Sequence, residues 1–553
     1  MSIDIETYRL KAQEAIEYVF VKEYHNSLGI PMPIVKMLLP DDANYSTGQY
    51  YITIDKTWQI HLNFGKLPIS YHEFQNEVKV LTRQELEHYM CCPFDVITHF
   101  RMLKRIRDVY YKHFSHLGIN IKYACGAISN QAADIIVDTK NYYRHSKETL
   151  KSEIDWIKIG ANISACPRHC KLMFLTKEAI WKEDLGINET DPEFLKIVHQ
   201  LADSFTKNGI EDKSSFLDKV EEYAEIFFKL YVEDQKNPQQ SSQQGSQQQS
   251  GQQGSQQQSG QQGSQQQSGQ QGSQQQSGQW GVGRPKDGDE HGNAFVFADP
   301  DKVKEAIEVL AEETSVEEFI DLLAIAGIIG MSDKQKGVLW FNVQSANIIP
   351  IVEFSNTGNK SSYTYPSVWR IGDPIEELDL MLTYMTSPRL IPGMTTKKWE
   401  YVSNDDNGTE SKQMDLLLVV DTSGSMGSAM KESANMHQAV LASYGILSYF
   451  ESTKSKVAFI GFSDKIDAYV DWSDKYDDVR ERLLTNGHGG TKFPISRIKS
   501  TLDVRSRDLV TVLITDGDLG NINESVSYFR DYLNDDNKLY IFLLGGSKSL
   551  HRY

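Results

Sequence analysis

The sequence predicts two folded parts of different class, a mainly helical α+β N-terminal domain and an α/β, doubly wound C-terminal domain, joined by a Gln/Ser/Gly-rich segment. Three observations lead there. Leu416–Val420 and Leu509–Thr515 are apolar runs of strand length that each open into an aspartate-bearing loop, as strands buried on both faces of a parallel sheet do. From Asn237 to Gln279 the chain has no aliphatic or aromatic side chain and repeats Gln-Gln-Gly-Ser-Gln-Gln-Gln-Ser-Gly four times in tandem, beginning at Gln243. Before that tract, apolar residues recur at helical spacing.

The N-terminal domain is predicted over residues 1–236. Tyr50–Ile54 and Trp58–Asn63 are β-rich and separated by Asp55-Lys56-Thr57, which predicts a hairpin. Helices are predicted over Glu73–Met90, Phe94–Phe114, Gln131–Tyr143 and Pro192–Ser204. The segment 237–290 cannot bury enough apolar surface to offset the entropy of ordering, so it reads as a flexible linker. A Gly-rich coil of about forty residues has an r.m.s. reach of roughly 35 Å, and the two halves are therefore expected to move independently.

A connecting region, 291–410, follows the linker. Asp299-Pro300-Asp301 opens a helix through Val303, Ile307 and Leu310, and Ser315-Val316-Glu317-Glu318 starts a second with a capping-box pattern. An irregular stretch around Tyr365–Asp373 then leads through Pro392-Gly393-Met394 and Trp399-Glu400-Tyr401 to the last domain, 411–553.

A chain of 553 residues is long enough for about two to four domains, each with its own core. Its net charge of −18 argues against nucleic acid or an anionic membrane as partner, because phosphate binding is driven by clustered Lys and Arg. Cationic protein surfaces and metal ions suit it better. The N-terminus has no basic segment followed by an apolar core, and the longest apolar stretch, Leu322–Met331, is too short to span a bilayer. Five cysteines form no disulfide framework, so a cytoplasmic protein with reduced thiols is expected. Cys166-Pro167-Arg168-His169-Cys170 offers two thiols and an imidazole, but no second pair at recognisable spacing completes a zinc site, and buried free thiols are the simpler reading.

The first C-terminal strand delivers Asp421-Thr422-Ser423-Gly424-Ser425-Met426, the second Asp516-Gly517-Asp518, and between them lies Gly489-Gly490-Thr491, a turn that glycine permits. In a doubly wound sheet these loops converge at the carboxyl ends of the strands. Carboxylates and hydroxyls alone form a hard-oxygen set, which suits Mg²⁺ (or Mn²⁺).

Asp-x-Ser-x-Ser, then Thr, then Asp resembles the metal-ion-dependent adhesion site of von Willebrand factor A (VWA) domains, whose fold is Rossmann-like. The resemblance implies that Ser423, Ser425 and Thr491 touch the metal, that Asp421 and Asp516 act partly through water, and that a partner protein's carboxylate takes the last position. The family's usual last strand and closing helix do not follow Lys538–Gly545, so that edge is expected to be covered by the middle region or by a partner.

A second candidate lies in Leu81-Thr82-Arg83-Gln84-Glu85-Leu86-Glu87-His88-Tyr89. In His-Glu-x-x-His, two histidines on one helix face hold Zn²⁺ and the glutamate activates water. Here Gln84 stands at the first histidine, Glu85 is the candidate general base and His88 the second histidine, with Asp134 of Ala132-Ala133-Asp134 as a further ligand. A zincin-like helix, an Asn-x-Ala-Ala-Asp helix and a C-terminal A-type domain together resemble predicted metallopeptidases encoded with MoxR-type AAA+ ATPases. Gln84 is a poor zinc ligand, which leaves a pseudo-peptidase, a recruited ligand or a variant active enzyme.

The sequence therefore favours a metal-dependent protein-interaction protein with a degenerate zincin-like domain, partnering a MoxR-type AAA+ ATPase. The alternative is a zinc peptidase whose VWA domain recruits substrate or regulator. No Gly-x-x-x-x-Gly-Lys-[Ser/Thr] is present, so ATP-driven work would belong to another chain.

Overall fold

The computed structural model describes residues 5–25, 31–38, 50–54, 59–64, 70–90, 92–93, 95–160, 163–236, 300–328, 330–346, 365–369, 373, 396–400, 414–504, 509–517, 519, 521, 525–533 and 537–545. The predicted hairpin turn at 55–57, the repeat tract, Pro392–Met394, Tyr401 and Asp518 lie outside them. The chain divides into two compact units, Met1–Gln344 and Ser345–Tyr553.

The first unit opens with α1 (Ile5–Glu17), which continues as a π-helical turn, Tyr18–Glu23. Then come β1 (Ile34–Met37), β2 (Tyr50–Ile54), β3 (Gln59–Phe64), α2 (Tyr71–Met90), α3 (Val96–Val109) and α4 (Ile121–Gly160). α5 (Arg168–Trp181), α6 (Pro192–Thr206), α7 (Phe216–Lys236), α8 (Pro300–Glu313), α9 (Val316–Ile325) and α10 (Asp333–Ala346) follow. β2 and β3 pair antiparallel, as a hairpin requires, and β1 adds in parallel to β3. The helix starts are chemically marked. Asp95 caps α3 by accepting from the Thr98 N–H at 2.7 Å, and Asp191 caps α6 ahead of Pro192, whose missing N–H costs nothing at that position. α4 carries a kink at His145 (φ −136°, ψ 48°).

α8 and α9 belong to this first unit, although the repeat tract precedes them. α8 packs on α3, and α9 on both α3 and α4. Leu310, Ala311, Val316, Phe319, Leu322 and Leu323 are fully buried. Burying a Leu or Phe side chain is worth about 1.5–3 kcal/mol, which explains why two amphipathic helices do not stay apart from the apolar face available to them. The expected independence of everything beyond the linker thus does not extend to α8 and α9.

The second unit holds a two-stranded antiparallel pair, β4 (Tyr365–Val368) and β5 (Lys397–Glu400), in the stretch read as irregular. Its larger sheet has the order β10-β9-β6-β7-β8. The elements are β6 (Asp415–Asp421), α11 (Asn435–Ser452), β7 (Val457–Phe462), β8 (Ile466–Ser473), α12 (Tyr476–Leu483), α13 (Ile495–Leu502), β9 (Leu509–Thr515), α14 (Val526–Leu533) and β10 (Lys538–Leu543). β10, β9, β6 and β7 run parallel. β8 instead returns antiparallel beside β7, because the connection of residues 463–465 is far too short for a crossover.

Leu417 and Val419 of β6 join Ile498, Leu502 and Tyr532 in one core cluster. Leu416, Leu418 and Val420, which alternate onto the opposite face, are just as fully buried. The register sets Val420 opposite Ile514 of β9, so both strands end level and their loops emerge side by side.

Candidate metal centre

Asp421 closes β6 and is fully buried; Asp516 follows the last residue of β9 and is 9% exposed. The two strands are direct neighbours, so the carboxylates are brought together by sheet register alone. One Asp421 oxygen accepts from the Ser423 N–H at 2.9 Å, and the other accepts from the Thr515 hydroxyl at 2.7 Å. The Ser423 and Ser425 hydroxyl oxygens lie 3.1 Å apart. Burial raises the Asp421 pKa; hydrogen bonds from Ser423 and Thr515 lower it, the charge of Asp516 raises it, and the net shift is upward. Two like charges held near one another out of water form a site in which a cation is stabilising.

The third loop is tied in through backbone. Gly424 N–H donates to Gly489 O at 3.2 Å, and Gly489 adopts φ +110°. Thr491 lies two residues on and is half-buried. Ser425 and Gly424 are exposed, so the loop cluster opens to solvent.

Several supporting residues have no signature in the sequence. The Thr422 hydroxyl donates to Asp467 of β8 at 2.7 Å. Gly487 is packed against this pair so tightly that a Cβ there would lie 2.3 Å from Asp467 Oδ2 and 2.5 Å from Thr422 O. Asp464 lies against Gly489, where a Cβ would meet its carboxylate at 3.1 Å. Thr515 alone was readable in principle, as a hydroxyl at a strand end next to Asp516.

The donors Asp421, Asp516, Ser423, Ser425 and Thr491 are hard oxygens carrying two negative charges, and this set fits Mg²⁺ or Mn²⁺. Among the described residues no group of three or more His, Cys, Asp or Glu side chains is placed to hold a metal; this set has only two carboxylates, and its other donors are hydroxyls.

In the first unit, α2 carries Gln84, Glu85 and His88, and α4 carries Asp134. One Asp134 oxygen lies 3.0 Å from His88 Nε2 and accepts from the Gln84 amide at 3.3 Å. Its other oxygen accepts from the Asn130 amide at 2.9 Å. His88 Nδ1 lies 3.2 Å from Cys92 O, so both ring nitrogens have acceptors. Burial lowers the His88 pKa, but the hydrogen bond and charge of Asp134, with the charges of Glu85 and Asp138, outweigh it and raise it to about 9. Imidazolium and carboxylate therefore bind each other, and Gln84 acts as a donor to Asp134. A catalytic zinc needs about three protein ligands of His, Cys or carboxylate type, and of these His88 and Asp134 are the two brought together here.

The surroundings are equally polar and equally paired. Glu87, fully buried, meets Lys140 at 2.8 Å, Arg144 at 2.7 Å and the Tyr24 hydroxyl at 3.1 Å. Lys177 pairs with Asp138 at 3.0 Å and with Glu153. Cys92, Cys125 and Cys170 are buried free thiols, and burial pushes Cys170 up to about 12.

No family model matches this sequence, and neither the curated proteins nor the solved structures compared with it gave a match. No helix among the described residues is long and apolar enough to cross a membrane.

Proposed function

We propose that the second unit is a divalent-metal-dependent protein-interaction module of VWA type. The observation that carries this reading is the convergence of the Ser423 and Ser425 hydroxyls, 3.1 Å apart, in the loop that follows buried Asp421, whose strand neighbours the one leading into Asp516. Asp421, Asp516, Ser423, Ser425 and Thr491 would hold Mg²⁺ or Mn²⁺. The bound metal supplies a Lewis-acidic position for a carboxylate of a partner protein. The chain's own residues fix the oxygens: Thr515 and the Ser423 N–H orient Asp421, and the Gly424–Gly489 bond keeps two loops in register.

The layout of a zincin-like helical unit followed by this module supports a MoxR-type AAA+ ATPase as the partner, with any ATP-driven step on that chain. The first unit serves as scaffold in this reading. The peptidase alternative rests on the convergence of His88 and Asp134, with Gln84, a poor zinc ligand, at the remaining position.

The test is a pull-down from lysate with Mg²⁺ present, comparing the wild type with Asp421→Ala and with wild type in chelator. Capture should require both metal and Asp421 while the variant keeps its thermal unfolding profile. Equal capture by a folded Asp421→Ala protein contradicts the proposal.

A further inference from the structure

The Gln/Ser/Gly repeats separate α7 from α8 in sequence, yet α8 and α9 lie on the face of α3 and α4. Two independent features hold them there. The first is apolar: Leu310, Val316, Phe319, Leu322 and Leu323 are fully buried, on helices whose other residues are largely charged. The second is charge complementarity. α3 presents Arg101, Lys104 and Arg107, and the helices that cover it present Glu313, Glu318 and Asp321. Arg101 donates to Glu313 at 3.0 Å; Arg107 donates to Glu318 at 3.2 Å and to Asp321 at 2.9 Å. Arg107 is 8% exposed, while the side chains of its partners Glu318 and Asp321 keep 29% and 45% of their exposure, so the pairs sit at the rim of the covered face. Ser315 caps α9 through a reciprocal bond with Glu318, so the same glutamate starts the helix and meets Arg107.

We propose that the basic face of α3, with α4 beside it, is a docking surface for an acidic amphipathic helix pair, and that its resident occupant is the chain's own α8 and α9. The repeat tract then connects two pieces of one folded unit rather than two bodies. The N-terminal helices hold the rest of the chain non-covalently, and cutting the tract leaves the two pieces bound. This inference is independent of the metal reading.

Replacing the third repeat, Gln261–Gly269, with a site-specific protease sequence allows the folded full chain to be cut there. Size-exclusion chromatography at about 0.15 M salt, where distant surface charges are screened, then reads the outcome. The two pieces should co-elute in equal amounts. Arg107→Glu should weaken their association by about tenfold or more, since it sets a largely buried like charge against Glu318 and Asp321. Adding Asp321→Arg to that variant, which leaves the Ser315–Glu318 cap intact, should restore part of it. Wild-type pieces that separate on cutting overturn the proposal without recourse to any variant. Association unchanged by Arg107→Glu, in a protein that melts cooperatively before cutting, overturns the assigned face.

Discussion

Thr422 and Gly487 show how much of the candidate metal centre rests on residues that are not donors. Thr422 is held by Asp467, and the backbone of Gly487 packs directly against both. Gly487→Ala would clash with the Asp467 carboxylate and with Thr422, the residue between Asp421 and Ser423. Overpacking of this kind costs about 1–3 kcal/mol. Gly490, three residues away, has nothing within 4 Å of an added Cβ, so Gly490→Ala should stay within about 0.5 kcal/mol of wild type. Urea unfolding of the two variants checks this contrast, and equal stabilities would mean that the Gly487 contact is not formed. At this scale the donors were legible because Asp-x-Ser-x-Ser is a local pattern. Asp467 was not, because it reaches Thr422 from a strand 45 residues further on. The His88–Asp134 pair was legible as two residues but not as an interaction. Nothing local in the sequence says that Gln84 donates to Asp134 or that the imidazole finds the Cys92 carbonyl.

Elements were readable where one signal dominated. β6 and β9 are unbroken apolar runs because both faces of the sheet are covered, and their register then places Asp421 beside Thr515. α4 was read only in part, over 131–143, a stretch that carries buried Asp134, Asp138, Lys140 and Asn141; the helix itself extends over Ile121–Gly160, across the kink at His145. Asp134, Asp138 and Lys140 are paired across helices, which a one-dimensional pattern cannot express. β8 was missed as an antiparallel edge for a similar reason, since its direction is decided by the short 463–465 turn. Helix caps, by contrast, are local and testable. The Asp95 carboxylate accepts from the Thr98 N–H at 2.7 Å and from Lys213 at 2.6 Å. Burial raises the Asp95 pKa, but those bonds outweigh it and leave it lowered. A depressed native pKa stabilises the fold above the carboxylate's ordinary range, and that stability is lost as pH falls through the native value. Asp95→Ala should therefore cost about 1 kcal/mol at neutral pH, and the gap from wild type should close on acidification. Urea melts at a series of pH values measure it, and a gap that widens in acid would contradict the cap.

The whole molecule combines a polar, closely paired helical unit with a sheet unit whose opening lies at exposed Ser425 and Gly424. In the first unit buried Lys177 pairs with Asp138 and Glu153, and buried Glu87 pairs with Lys140 and with Arg144, whose side chain is half exposed. The second unit gathers two carboxylates and its hydroxyls at the ends of β6 and β9, and the chain's net charge of −18 accords with a cation there. That cation is the central claim, and calorimetric titration of the intact chain with Mn²⁺ tests it most directly. The wild type should bind a single Mn²⁺, Asp421→Ala should bind none, and Ser425→Ala should bind more weakly. An intact chain that takes up no Mn²⁺, or an Asp421→Ala protein that binds it as wild type does, would contradict the account.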